Sequence, residues 1–169
     1  MVTKFDFGFR IIEFEDVRPG DIFFERAELD GIPLGMRIVP PEGPLREKPA
    51  ILHFQPNRPT AVISTKNVKR DVAVLDAEIR GPALRAENLL YNNSSMREGA
   101  LMFALGAHFL RVSFDGGTWD VDLTSGEARL TEAIPCPFWV DQWSIVVNRE
   151  GSSKDIIFQF DGRANRLAG

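Results

Sequence analysis

The run IPCPFWVDQW, from Ile134 to Trp143, gathers the residues of this chain best suited to chemistry. Cys136 is the one cysteine and sits between Pro135 and Pro137. A cysteine nucleophile works as the thiolate, so it needs an imidazole or an electropositive pocket beside it. The chain offers two histidines for that task, His53 and His108. Cys136 as nucleophile with His108 as base would make a small hydrolase or transferase. The competing reading is packing, because free cysteine is among the most buried residue types. His108 falls in phase with Leu110, Val112 and Phe114, which turns it toward an apolar face. The primary expectation therefore assigns no catalytic residue, and Cys136 with His108 is the alternative.

Trp139, Asp141 and Trp143 offer different chemistry. On one strand, residues two apart point the same way, so a carboxylate would stand between two indoles. Such an arrangement holds sugars or flat ligands by stacking and hydrogen bonds, and these three residues are the expected ligand-binding set. The alternative is a packed corner, in which the carboxylate needs a partner. Trp143 leads Trp143, Ile145 and Val147 onto an inward face, while Trp139, after Pro137, is expected at the rim.

Other chemistry finds little support. Two histidines and a cysteine lack the short spacing of a zinc site, and DGGTWDVD carries carboxylates without the EF-hand pattern. No metal and no cofactor are expected. TKNVKRD, with Lys66, Lys69 and Arg70, is the one local cationic run and reads as a solvated loop. Three short stretches resemble family motifs, and each departs from its motif. RPGDIFF is similar to the strand opening of NlpC/P60 amidases, whose upstream cysteine has no counterpart here. DLTSGEARL resembles the second motif of PilZ domains, without their pair of arginines four residues apart. GDIFF with EKPAILHF resembles the SH3-like barrels of MazF-type ribonucleases, with Lys48 in place of the usual arginine.

The elements that must position these residues are mostly strands. KFDFGFRI places Phe5, Phe7, Phe9 and Ile11 on one face. DIFFERAEL and IPLGMRIV read as a hairpin around Asp30-Gly31, with Pro33 marking an edge strand. AILHF, TAVIS and DVAVLDAEI follow as strands. GPALRAENLLYNN is an ambiguous helix. SSMREGALMFALG reads as a helix opened by the capping-box pair Ser95 and Glu98 and closed by Gly106. Leu110, Val112 and Phe114, then Trp119, Val121 and Leu123, alternate with polar residues across glycine-rich turns. WSIVVN and DIIFQF form a last hairpin. Around ten short antiparallel strands with one or two short helices predict a mainly β, single-domain sandwich or barrel-like fold. The β-rich domain is expected over 1–162, with 163–169 a frayed C-terminal tail.

Composition fits that fold. The 169 residues are 44% hydrophobic and 26% charged, with a net charge of -4. That balance weighs against a partner built on phosphate backbones. The N-terminus carries acids and no long apolar run, and no segment approaches a membrane span, so a soluble cytoplasmic protein is expected. The functional expectation is a non-catalytic module that binds a small molecule or a protein near an aromatic-lined end of the fold. A structural subunit of a homo-oligomer, pairing through the edge near Pro33, is the further alternative.

Overall fold

The computed structural model describes residues 9–25, 34–55, 58–63, 71–82, 90, 96–104, 106–131, 138–148 and 154–163. These form fourteen strands: β1 (Phe9–Glu13), β2 (Ile22–Phe24), β3 (Leu34–Ile38), β4 (Ala50–His53), β5 (Thr60–Ile63), β6 (Asp71–Leu75), β7 (Ala77–Arg80), β8 (Leu101–Ala104), β9 (Ala107–Phe114), β10 (Gly117–Asp122), β11 (Ala128–Leu130), β12 (Phe138–Val140), β13 (Gln142–Asn148) and β14 (Lys154–Asp161). The mainly β expectation holds. Eleven strands make one sheet in the order β1-β6-β2-β3-β4-β5-β9-β10-β11, with β8 and β12 branching from β9. The other three make a second sheet, β14-β13-β7. Val39 meets Glu127 through one parallel bridge, which brings the large sheet back on itself without a closed barrel.

The main core lies between the sheets. Trp143, Ile145, Val147 and Phe160 from the small sheet meet Leu52, Leu110, Val112 and Val121 from the large one. The inward face expected for Trp143, Ile145 and Val147 is present. Residues of the opposite phase on β8, β9 and β12 build a second cluster, with Met102, Phe109 and Trp139. This part of the large sheet is thus buried on both faces, and its strands do not alternate between core and solvent.

That double burial corrects the helix expected over SSMREGALMFALG. Residues 96–100 form a turn, and Leu101–Ala104 is a strand paired with Ala107–Phe114. Leu101 enters one cluster and Met102 the other, so a continuous apolar run was required here, and such a run mimics a helix in sequence. Ser95, the proposed cap, lies outside the described residues, as does most of GPALRAENLLYNN.

Two further expectations change. DVAVLDAEI is two strands, because the chain passes at Asp76 from the large sheet to the small one. β2 and β3 do pair antiparallel. A two-residue turn at Asp30-Gly31 would set Phe24 opposite Arg37, whereas its partner is Leu34; the turn itself and Pro33 lie outside the described residues. A tight two-residue hairpin turn lies at Asp115-Gly116, where φ is 43° and 79° and Phe114 faces Gly117. Two successive positive φ angles are what a two-residue hairpin turn demands.

Candidate functional site

β13 runs through the middle of the small sheet, and its alternation gives that sheet two unlike faces. Trp143 and Ile145 turn inward, while Gln142 and Ser144 turn outward. Across the strands, Ser144 pairs with Arg80 on one side and Gln159 on the other, and Gln142 pairs with Asp161. Directly paired residues project from the same face of a sheet. Arg80, Gln142, Ser144, Gln159 and Asp161 therefore stand together over a groove of about 320 Å³, whose floor includes Trp143 and Phe160.

The floor is stiff for identifiable reasons. The Trp143 indole stacks on Phe160 at 5.2 Å with 17° between planes, and its Nε1–H donates to the Gly99 carbonyl at 2.8 Å. Gly99 has φ +86°, and a Cβ there would lie 2.1 Å from the Phe160 ring, so glycine is required. The Gly99 N–H in turn donates to the Arg111 carbonyl at 2.7 Å, tying the floor to β9.

At one end of the groove Arg80 donates to Glu78 at 2.6 Å, and Lys154 reaches the same carboxylate oxygen. The Lys154 ammonium holds the Glu78 carboxyl below its usual range; partial burial opposes it, and the Arg80 guanidinium adds to the lowering. The outer face is therefore a mixture of charges, with neutral amides and a hydroxyl between them.

No protein family, no curated protein and no solved structure matches this chain.

The structure separates the three residues expected to bind ligand. Trp139 lies on β12 and packs in the Met102–Phe109 cluster; Trp143 lies on β13 in the main core. Their side chains do not share a face, because the chain changes sheets at Asp141 between them. Trp139 is 3% exposed, so its expected place at the rim is corrected: strand pairing to Met102 carries it under cover. Asp141 is buried and accepts from Arg163 Nε at 3.2 Å, while its carbonyl accepts from Gly162 N–H at 2.7 Å. It fastens the chain just beyond β14, and Arg163, the first residue of the expected tail, is held there. Trp143 borders the groove; Asp141 holds the chain just beyond β14, and Trp139 belongs to the separate cluster on the large sheet.

Cys136 lies outside the described residues. His108 is exposed, with its ring edge-on to Phe103 at 5.2 Å. Its phase with Leu110 and Val112 is as read, but it sits near the start of β9, where the core has run out and half-buried Phe103 is its cross-strand neighbour. Among the described residues, no group of three or more His, Cys, Asp or Glu side chains could hold a metal ion, and no helix is long and apolar enough to cross a membrane.

A buried ion pair escaped the sequence reading. Arg111 and Asp120 face each other across β9 and β10 and form two parallel bonds, Nε to Oδ1 at 2.8 Å and Nη2 to Oδ2 at 3.0 Å. Asp120 is fully buried. Burial pushes its carboxyl above the usual range, and the opposing pull of Arg111 does not cancel this. The signal was present: a two-residue turn at Asp115-Gly116 fixes the register that sets Arg111 opposite Asp120.

A second hollow, of about 290 Å³, lies where Phe14, Arg37, Arg46 and Lys48 converge. Arg37 donates to the carbonyls of Phe14 and Glu15 at 2.8 and 3.1 Å, and Arg46 pairs with Glu127 at 3.0 Å. Those two guanidinium groups fasten neighbouring turns together.

Proposed function

We propose that this chain is a non-catalytic binding module, and that a neutral ligand rich in hydroxyl or amide groups occupies the groove over β7, β13 and β14. The observation that carries this reading is the convergence of Gln142, Ser144 and Gln159, with Arg80 and Asp161, on one groove above the Trp143–Phe160 stack. Amide and hydroxyl side chains both donate and accept, which suits sugar hydroxyls and peptide groups alike. They stand on paired strands, so little ordering is needed when a ligand arrives. The volume lies near the lower end of small-molecule sites, roughly 300–1,000 Å³. Arg80 is already engaged by Glu78, which favours a neutral ligand over an anionic one.

The test is a ligand-observed NMR screen of mono- and oligosaccharides and short peptides, followed by amide shift mapping. Shifts should centre on Arg80, Gln142, Ser144, Gln159 and Asp161. Gln159 is exposed, so Gln159→Ala should fold normally and weaken binding about three- to tenfold, the worth of one neutral hydrogen bond. A hit whose shifts map elsewhere, or a panel with no hit at all, would overturn the reading.

A further inference from the structure

We infer that β14 pairs antiparallel with β14 of a second copy of this chain, joining two small sheets into one of six strands. This inference does not rest on a ligand in the groove, although Gln159 and Asp161 belong to both surfaces. β14 is the outer strand of its sheet, eight residues long, and among the described residues it pairs with β13 and with no other strand. A strand of that length with an open edge is a template for further pairing. Ile156 on it is 57% exposed.

The side chains specify what pairs there. The register to β13 shifts between Ile145 and Val146: Ile145 faces Phe158, Val146 faces Ile156, and Ile157 is the extra residue. A bulge of this kind often turns an edge away from partners. Here it also resets the alternation. Phe158 and Phe160 continue inward, and Lys154, Ile156, Gln159 and Asp161 all fall on the outer face. Without the extra residue Lys154 and Asp161 would lie on opposite faces. Along the outer face the strand thus starts with a cation and ends with an anion.

That pattern is self-complementary in one orientation. An antiparallel copy sets Lys154 against Asp161 of the second copy, Ile156 against Gln159, and the two bulges at the centre. The two-fold axis repeats each contact, as an isologous interface requires. A parallel copy would set lysine on lysine and aspartate on aspartate, which is unfavourable. Lys154 also bonds Glu78 of its own sheet, and an ammonium has three protons to share.

The experiment is sedimentation of the full chain across the micromolar range, with circular dichroism as the check on folding. Wild type should be a dimer, weakened by salt. Lys154→Asp and Asp161→Lys should each raise the dissociation constant more than about tenfold, because each places like charges opposite one another. The reciprocal double variant, Lys154→Asp with Asp161→Lys, should restore the dimer. Ile156→Arg, at a side chain exposed in the monomer, should fold and remain monomeric. A wild-type monomer throughout that range would overturn the inference, as would a dimer that survives Ile156→Arg or one that the reciprocal swap fails to restore.

Discussion

Removing one member of the Arg111–Asp120 pair should be far more harmful than removing both. Two opposite charges about 4 Å apart attract by about 4 kcal/mol at an effective dielectric constant near 20. Each ion loses several kcal/mol of hydration on burial, so the pair comes close to breaking even. The raised Asp120 carboxyl reports the same balance, with burial outweighing the guanidinium. Asp120→Asn leaves a nearly buried guanidinium without its counter-ion, and Arg111→Met leaves a fully buried carboxylate. Either should cost about 3–5 kcal/mol. Arg111→Met combined with Asp120→Val suits the strand and should fall within about 2 kcal/mol of wild type. Urea unfolding followed by tryptophan fluorescence reads all four corners of the cycle. Acid titration adds a second readout. Folded Asp120 binds its proton more tightly than the unfolded chain does, so it contributes stability at low pH that is lost as pH rises through its folded pKa. Acidification should therefore destabilise Asp120→Asn more steeply than wild type. Single variants within about 1 kcal/mol of wild type, or losses that simply add, would refute the reasoning.

Three further outcomes are expected. Gly99→Ala forces a positive φ on alanine and drives its methyl group into the Phe160 ring; a loss of about 2–5 kcal/mol in urea melts is expected, with altered Trp143 emission. Trp139→Ala and Trp143→Ala should each cost about 3–5 kcal/mol by the same assay, since both indoles are buried. Glu78 is held ionised by Lys154 and Arg80, so its contribution is present above pH 4.5 and lost as pH falls through its lowered folded pKa; Glu78→Gln should flatten that part of the acid melt, an effect that fades in high salt because the group is exposed.

Strand chemistry was readable wherever one face met the core. Trp143, Ile145 and Val147 alternate with polar Gln142 and Ser144, and both the inward face and the last hairpin follow from that pattern. Legibility failed where burial is two-sided. Arg111, Ser113 and Asp120 read as outward polar residues, yet they lie beneath cover on the second face of β9 and β10. Leu101 and Met102 serve two cores, so their run carried no strand period. Trp139 and Trp143 looked like one site because sequence spacing cannot show that Asp141 is where the chain leaves one sheet for the other. The groove itself is assembled from β7, β13 and β14, and no local window contains Arg80 together with Gln142 and Gln159.

The scattered origin of the small sheet also governs how this protein is made. As the chain leaves the ribosome, β7 emerges long before its partner: Ile79 has no strand to face until Ile145 has been synthesised, and Trp143 has no stacked ring until Phe160 follows. The apolar surface between the sheets therefore stays open until β13 and β14 have been made, since such long-range pairing must wait for both strands. Just beyond β14, Arg163 donates back to Asp141, just before the start of β13. Nascent chains stopped short of Phe160 should engage chaperones and resist release, whereas completion of the last hairpin should set them free in a single step.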